Sequence, residues 1–118
     1  MKLPEQAQEF SDDWIAAWNA HDLDRIVSHY AADVVFQSPR ISVVTGEKSG
    51  LVKGKAALDA YWRKALAGAP DFHFTLERVY VSSNAVTVAY KNHRDQGAAE
   101  TMIFNADGLI QEGVAAYA

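Results

Sequence analysis

Glu100 is the residue with the clearest chemical potential, because it lies in an otherwise apolar stretch near the end of the chain. Between 98 and 105 the pattern alternates, so Glu100 falls in phase with Met102 and Phe104 on one face of a predicted strand. A carboxyl directed at an aromatic core loses hydration, and its pKa should rise unless a cation pairs with it. A neutral carboxyl could donate a hydrogen bond to a ligand oxygen. The alternative is a partly hydrated glutamate bonded to Asn92.

A three-residue loop, 95–97, predicts how this strand pairs with the preceding one. It would place Glu100 opposite Asn92 and Met102 opposite Tyr90, all on one face. The bulkier alternate positions of the preceding strand are assigned to the core, and they are Val86, Val88, Tyr90 and Asn92.

Aromatic residues make up 11% of the chain, and plain core packing accounts for most of them. Rings that carry a polar atom also suit a pocket wall, where ring and heteroatom both find partners. We therefore expect a pocket lined by Trp18, Tyr30, Phe36, Arg40, Tyr61, Tyr90, Asn92, Met102, Phe104 and Tyr117.

Two polar side chains, Arg40 and His73, leave alternatives open. Arg40 could pair with Glu100, bind an acidic ligand or remain solvated in a loop. His73 and His93 alternate out of phase with nearby aromatic residues, which favours the outer face of the sheet. With the opposite strand phase, His73 would enter the pocket as a base.

Composition excludes several classes of function. The 118 residues carry a formal net charge of −4, so a domain-wide basic surface for nucleic acid is not expected. The absence of cysteine excludes disulfides and thiolate chemistry, and the four histidines form no ligand motif, so we expect no metal and no cofactor. No apolar stretch approaches the roughly 18–20 residues of a membrane helix, and no secretory signal is visible, which favours the cytosol.

The elements that position these groups are helices first and strands afterwards. The predicted helices are one that begins near Pro4 and breaks at 19–22, one over 23–30 and one over 56–66. The predicted strands are 34–37, 72–81, 85–93, 98–105 and 109–117. A Gly/Ser/Lys-rich loop covers 45–55. This order predicts one α+β domain over 1–118, with a curved antiparallel sheet around the helices.

The side chains expected on the outer face of that sheet are small and moderately apolar. Solvent could cover it, but a homodimer interface is our preferred hypothesis, because an unpaired apolar sheet face is unusual in a monomer. The residues concerned are Thr87, Ala89, Thr101, Ile103, Val114 and Ala116.

The run Trp14–Val27 resembles the opening of bacterial ketosteroid isomerases and their SnoaL-like relatives in the nuclear transport factor 2-like superfamily. The segments Tyr30–Asp33, Gly54–Leu58 and Phe104–Gly108, with the terminal strand ending at Tyr117, extend the resemblance over nearly the whole chain. It implies a cone-shaped, cystatin-like roll, in which three helices pack on a bent antiparallel sheet around an apolar pocket. It also implies a homodimer.

The resemblance also implies three catalytic positions. Ser38 stands where ketosteroid isomerases have a carboxylate base, and a hydroxyl cannot shuttle a proton as a carboxylate does. Trp14 stands in place of an oxyanion-binding tyrosine and retains an N–H donor, while Glu100 holds the place of a protonated acid. This set implies an isomerase or lyase without the usual base, acting on a small apolar carbonyl compound. The alternative is a non-catalytic binding or interaction module.

Overall fold

The computed structural model describes residues 6–118. The helices are Ala7–Asn19 (α1), Leu23–Val27 (α2), Arg40–Thr45 (α3) and Lys55–Ala67 (α4). The strands are Tyr30–Gln37 (β1), Leu51–Lys53 (β2), Thr75–Val81 (β3), Ala85–Lys91 (β4), Gly97–Phe104 (β5) and Ile110–Tyr117 (β6). The helix start expected at Pro4 lies outside the described residues. Within the described chain, every helix is too short or too polar to cross a bilayer.

The six strands form one sheet in the order β2-β1-β6-β5-β4-β3. Neighbouring strands are antiparallel except β1 and β6, which run parallel. The pairing shifts register within β1–β6, β3–β4 and β5–β6, and such irregularities bend and twist a sheet. The predicted α+β architecture is confirmed, with four helices among residues 6–118 instead of three and a mixed instead of a purely antiparallel sheet.

The core lies between the helices and one face of this sheet, which we call the inner face. The aromatic stripe of α1 is buried there, with Phe10, Trp14 and Trp18 all nearly inaccessible to solvent. Strands β4 and β5 alternate strictly between buried and half-buried residues. The predicted core-facing phase of both strands is therefore confirmed, because Tyr90 and Glu100 are both buried.

The break between the first two helices falls where the sequence predicts it. His21 takes a left-handed φ of 55°, which stops α1 after Asn19. Asp22 then caps α2, because its Oδ1 accepts a hydrogen bond of 3.2 Å from the backbone N–H of Arg25.

The loop between β4 and β5 is longer than predicted and covers 92–96 instead of 95–97. Asn92 organises it, since its Oδ1 accepts backbone hydrogen bonds from Arg94 at 2.9 Å and from Gln96 at 3.0 Å. Glu100 consequently lies opposite Val88, and the predicted pairing with Asn92 is wrong. The pairing moves by an even number of residues, which leaves Glu100 on the inner face.

Two local predictions are also corrected. Tyr30 was expected at the end of the second helix but begins β1, because it pairs with Ile110 of the last strand. The segment before α4 contains α3 and the short strand β2, which pairs with β1, where the sequence indicated mainly loop. The strand pairings of Tyr30 and β2 join residues distant in sequence, which local periodicity does not report.

Candidate functional site

A cavity of about 310 Å³ lies between α4, the end of α1 and the inner face of the sheet. Its apolar lining is Trp18, Phe36, Val44, Tyr61, Trp62, Ala65, Leu66, Gly68, Ala69, Phe72, Phe74 and Tyr117. Its polar and charged lining is Ser38, Arg40, Lys64, Asn92, His93, Arg94, Gln96 and Glu100. Aromatic rings with a few polar groups are typical of a small-molecule site.

Glu100 is the buried acid of this cavity, with 5% of its surface exposed. Its neighbours across the sheet are Val88 on β4 and Ala115 on β6, and neither side chain can hydrogen-bond to it. Its Oε2 atom has no hydrogen-bond partner among residues 6–118, and no cation of that range forms an ion pair with it. Burial raises the pKa of Glu100 to about 8, and the neighbouring Tyr90 hydroxyl opposes part of this rise. At neutral pH the carboxyl is therefore mainly a protonated hydrogen-bond donor.

The tyrosines around Glu100 also remain neutral. Burial raises the pKa of Tyr61 to about 12, and it raises the pKa of Tyr117 as well. The pKa values of Tyr30 and Tyr90 rise further, first through burial and then through the nearby Glu100 carboxyl. Because phenols in this setting keep their protons, they act as hydrogen-bonding groups and not as bases.

Ser38 follows β1 and is buried, with its backbone N–H bonded to the carbonyl of Gly50 at 3.0 Å. Its Oγ accepts a hydrogen bond of 3.2 Å from the backbone N–H of Arg40. The hydroxyl of Ser38 opposes the upward shifts in the pKa of Tyr61 and Tyr117. Ser38 thus belongs to a polar wall made of neutral hydroxyls.

Three lining residues carry buried polar atoms that have no hydrogen-bond partner in the described part of the chain. They are Oε2 of Glu100, Nε1 of Trp18 and Nδ1 of His93. A buried polar atom without a partner costs about 1–3 kcal/mol, so native structures rarely keep one without a reason. All three belong to residues that line one cavity, which makes this lining the candidate contact surface for a polar ligand.

The cavity brings together most of the residues predicted for it. Its lining contains the predicted residues Trp18, Phe36, Ser38, Arg40, Tyr61, Asn92, Glu100 and Tyr117. Five others are buried in the core outside the lining, which corrects the predicted set, and these are Trp14, Tyr30, Tyr90, Met102 and Phe104.

Packing explains why three of these five, Trp14, Tyr30 and Phe104, lie apart from the cavity. The ring of Trp14 stacks on Phe74 with centroids 5.9 Å apart, and its indole N–H donates to the hydroxyl of Tyr30 at 3.4 Å. Phe104 packs edge-on against Phe10 at 5.3 Å. An inward-facing position in a strand can thus meet either a helix or the cavity, and alternation does not distinguish the two.

His93 was predicted on the outer face of the sheet, and this prediction is wrong. Because β4 ends at Lys91, the alternation stops there and the 92–96 loop directs His93 into the cavity. Its side chain is 13% exposed, and its ring lies 5.5 Å from that of Phe72. His73 is exposed, as the favoured strand phase predicts.

Trp62, Phe72 and Phe74 line the cavity although the predicted set omitted them. Trp62 belongs to α4, where its ring packs against Trp18 at 5.0 Å, and its proximity to Tyr61 in sequence was the available signal. Phe74 precedes β3 and is fixed by hydrogen bonds with Asn19, a long-range contact without a sequence signature.

Across residues 6–118, no three His, Asp or Glu side chains are grouped as metal ligands.

A family model and a solved structure both relate this chain to SnoaL-like proteins. The family model described as a SnoaL-like domain matches residues 12–112. A SnoaL-like protein from Burkholderia thailandensis is 40% identical, with a TM-score of 0.93 and coverage of 98% of this chain and 97% of that one. No curated protein matches the sequence.

More distant structures share the fold. A Mycobacterium tuberculosis protein solved in complex with estradiol-17beta-hemisuccinate is 22% identical, with a TM-score of 0.74 and coverage of 95% of this chain and 93% of that one. An NTF2-like protein from Mesorhizobium loti is 20% identical, with a TM-score of 0.75 and coverage of 100% and 95%. At these identities the likeness concerns the fold alone.

Proposed function

Because the chain belongs to the SnoaL-like domain family, we propose that its cavity binds a small, mainly apolar molecule that carries a carbonyl or similar acceptor oxygen. Glu100, as a neutral acid, donates a hydrogen bond to that oxygen. The observation that carries this proposal is the buried, unpartnered Oε2 of Glu100 in the cavity lining. The steroid ester bound by the Mycobacterium tuberculosis protein is a ligand of this general kind.

The cavity favours a ligand-binding protein over an interaction module that binds no small molecule. A module without a ligand would fill the space between helices and sheet with its own side chains, whereas about 310 Å³ remains open here. The rings of Trp18 and Phe72 offer flat apolar contact to the ligand body. The residues that line the cavity are therefore sufficient for ligand binding, even if the protein catalyses no reaction.

Isomerisation of the bound carbonyl compound is the second candidate function, and His93 favours it. His93 lines the cavity from the 92–96 loop, and its Nδ1 has no hydrogen-bond partner among residues 6–118, so the ring is the candidate to accept a proton from the carbon next to the carbonyl. Glu100 would stabilise the resulting enolate oxygen. In a β,γ-unsaturated carbonyl compound, return of the proton from His93 to the γ-carbon would move the double bond into conjugation and complete the reaction. Ser38 stands where ketosteroid isomerases have their carboxylate base, and it remains part of the proposed site as a polar contact.

A matched pair of ligands tests the binding proposal. 1-Tetralone carries a carbonyl oxygen and tetralin does not, and both are small enough for the cavity. Quenching of Trp18 and Trp62 fluorescence should show tetralone binding about 5–10-fold more tightly, which corresponds to one hydrogen bond of about 1–1.5 kcal/mol. Glu100→Leu should abolish this preference and Glu100→Gln, which keeps a donor, should retain it. Equal affinities in the unmodified protein would contradict the proposal.

Exchange of the C2 hydrogens of 1-tetralone in D₂O, followed by NMR, tests the second candidate. Catalysed exchange should be lost in His93→Gln and strongly reduced in Glu100→Gln, while tetralone still binds both variants. If exchange in the presence of the protein equals the buffer rate, the chain is a binding protein and not an isomerase.

The cytosolic location stays a prediction.

We also propose that the outer sheet face forms a homodimer interface. Thr87 and Thr101 satisfy each other there, with hydroxyls 2.9 Å apart, so this face does not need water for them. Tyr80, on the same face, exposes 55% of its surface. Light scattering should give twice the chain mass for the protein and a monomer for Thr101→Arg, with Gln8→Arg on α1 as the control. A monomeric unmodified protein would exclude this interface.

A further inference from the structure

The opening of the cavity is basic although the protein as a whole is acidic. The lining contains three cations, Arg40, Lys64 and Arg94, in a chain of net charge −4. Glu100 is the one acidic residue of that described lining, and it is buried and mainly protonated at neutral pH. Lys64 and Arg94 are exposed and Arg40 is half-buried, which places positive charge toward solvent and the neutral acid inside.

These cations come from three separate elements that all contribute to the lining of one cavity. Arg40 begins α3, Lys64 lies in the last turn of α4, and Arg94 belongs to the 92–96 loop. On a solvated helix face, like charges belong to a single helix, whereas here they come from two helices and a loop. This arrangement gives the opening a positive potential that attracts and orients anions.

No acidic side chain among residues 6–118 forms an ion pair with any of the three. By contrast, Arg63 on the same helix as Lys64 pairs with Asp59 at 2.9 Å, and Lys91 pairs with Asp95 at 3.5 Å. The charge of Arg40 acts inside the cavity, where it opposes the upward shifts in the pKa of Tyr61 and Tyr117. A half-buried guanidinium therefore faces the ligand space without a protein anion to neutralise it.

We propose that the natural ligand is an amphipathic anion, an inference that rests on the proposed function and specifies its ligand class. The acceptor oxygen meets Glu100 at the inner end, and the apolar body packs against the aromatic rings. A carboxylate or a similar anionic group at the outer end binds Arg40, with Lys64 and Arg94 beside it. Arginine suits this role, because its planar group can hold a carboxylate through two parallel hydrogen bonds.

6-Acetyl-2-naphthoate and its methyl ester test this proposal, because they share the ring system and the acetyl oxygen but differ in charge. The unmodified protein should bind the acid at least 10-fold more tightly than the ester in about 20 mM salt, and added NaCl should narrow the difference. Arg40→Gln should reduce the affinity for the acid about 5–10-fold and leave that for the ester unchanged. Lys64→Gln should shift affinity in the same direction by a smaller factor.

Arg63→Gln is the matched control, since it removes one positive charge from the same helix as Lys64 but lies outside the lining. It should leave both affinities unchanged, and an equal loss in this variant would overturn the proposal by showing a general charge effect. If the ester binds in a manner that depends on Glu100 but the acid binds no better, the anionic ligand is excluded and the proposed function stands. If neither compound binds, both proposals fail.

Discussion

Asn19 and Phe74 are joined by two hydrogen bonds between a side-chain amide and a backbone peptide unit. The Nδ2 of Asn19 donates to the carbonyl of Phe74 at 2.9 Å, and the backbone N–H of Phe74 donates to Oδ1 at 2.7 Å. Asn19 ends α1, and Phe74 lines the cavity just before β3. The pair therefore fixes one wall of the cavity to the helix that packs behind it.

Asn19→Ala should lower the free energy of unfolding by about 1–3 kcal/mol, because it removes both hydrogen bonds and leaves the half-buried peptide groups of Phe74 without these partners. Urea unfolding measures the change. Gln8→Ala is the control, since it removes an exposed hydrogen bond to Asp12 on the same helix and should cost no more than about 0.5 kcal/mol. Equal losses of stability in the two variants would show that the two hydrogen bonds between Asn19 and Phe74 contribute no more than one exposed hydrogen bond.

Glu100 should make the protein less stable as the pH rises from about 4.5 to 8. The pKa of Glu100 is about 8 when folded and 4.5 as its ordinary value. Below pH 4.5 both states hold the proton, but between these values the unfolded chain releases it while the folded chain keeps it. This favours unfolding by at most about 1.4 kcal/mol per pH unit, and the effect levels off above pH 8.

Glu100→Gln isolates this effect from the other ionisable groups, because glutamine has nearly the same shape and no titrating proton. The variant should gain stability relative to the unmodified protein between pH 5 and 8, by up to about 4 kcal/mol in urea unfolding. A difference between the two proteins that stays constant over this range would mean that Glu100 keeps an ordinary pKa in the folded state.

Gly113→Ala should disturb the cavity wall from behind. A Cβ at this position would lie 2.8 Å from Cδ1 of Phe36, a buried ring that lines the cavity. Since the ring must move, we expect a loss of about 1–3 kcal/mol in stability and weaker binding of 1-tetralone. Gly97→Ala is the matched control, because its Cβ would meet Ala118 at an ordinary 3.6 Å. Unchanged stability and binding in Gly113→Ala would show that Phe36 adapts freely.

The affinity for 1-tetralone should fall as the pH rises through about 8, because ionised Glu100 loses its donor and repels the carbonyl oxygen. Isothermal titration at pH 6.5 and 9.5 measures this change. The affinity of Glu100→Gln should stay constant over the same range, and so should the affinity of the unmodified protein for tetralin. A pH effect that persists in Glu100→Gln would assign it to another group.

The sequence predicts the inner-face position of Glu100 correctly but not its partner, and the difference has a physical cause. A strand's two-residue period fixes which face a side chain occupies, and the alternation from Ala98 to Phe104 is regular. The partner depends on the loop, where Asn92 captures two backbone N–H groups and extends the turn. Such side-chain-to-backbone contacts are not visible in a hydrophobic pattern.

The cavity lining was predictable in part for a similar reason. Aromatic composition and the resemblance of Trp14–Val27 to a known family indicated an apolar hollow, but not which rings enclose it. Trp14 fills the core against Phe74, whereas Trp18, four residues later on the same helix face, reaches the cavity. His93 enters because a strand ends two residues earlier. These outcomes depend on element ends and long-range packing.

Direct titration of the Glu100 carboxyl tests whether it is a neutral acid at pH 7. With ¹³Cδ-labelled glutamate, NMR would follow each carboxyl through its chemical shift between pH 3 and 10, and the resonance missing in Glu100→Gln identifies residue 100. We expect a midpoint near 8 for that resonance, and a higher midpoint when 1-tetralone is added, because the ligand binds the protonated form. A midpoint below 6, or one that tetralone does not change, would contradict a neutral acid that donates to the ligand.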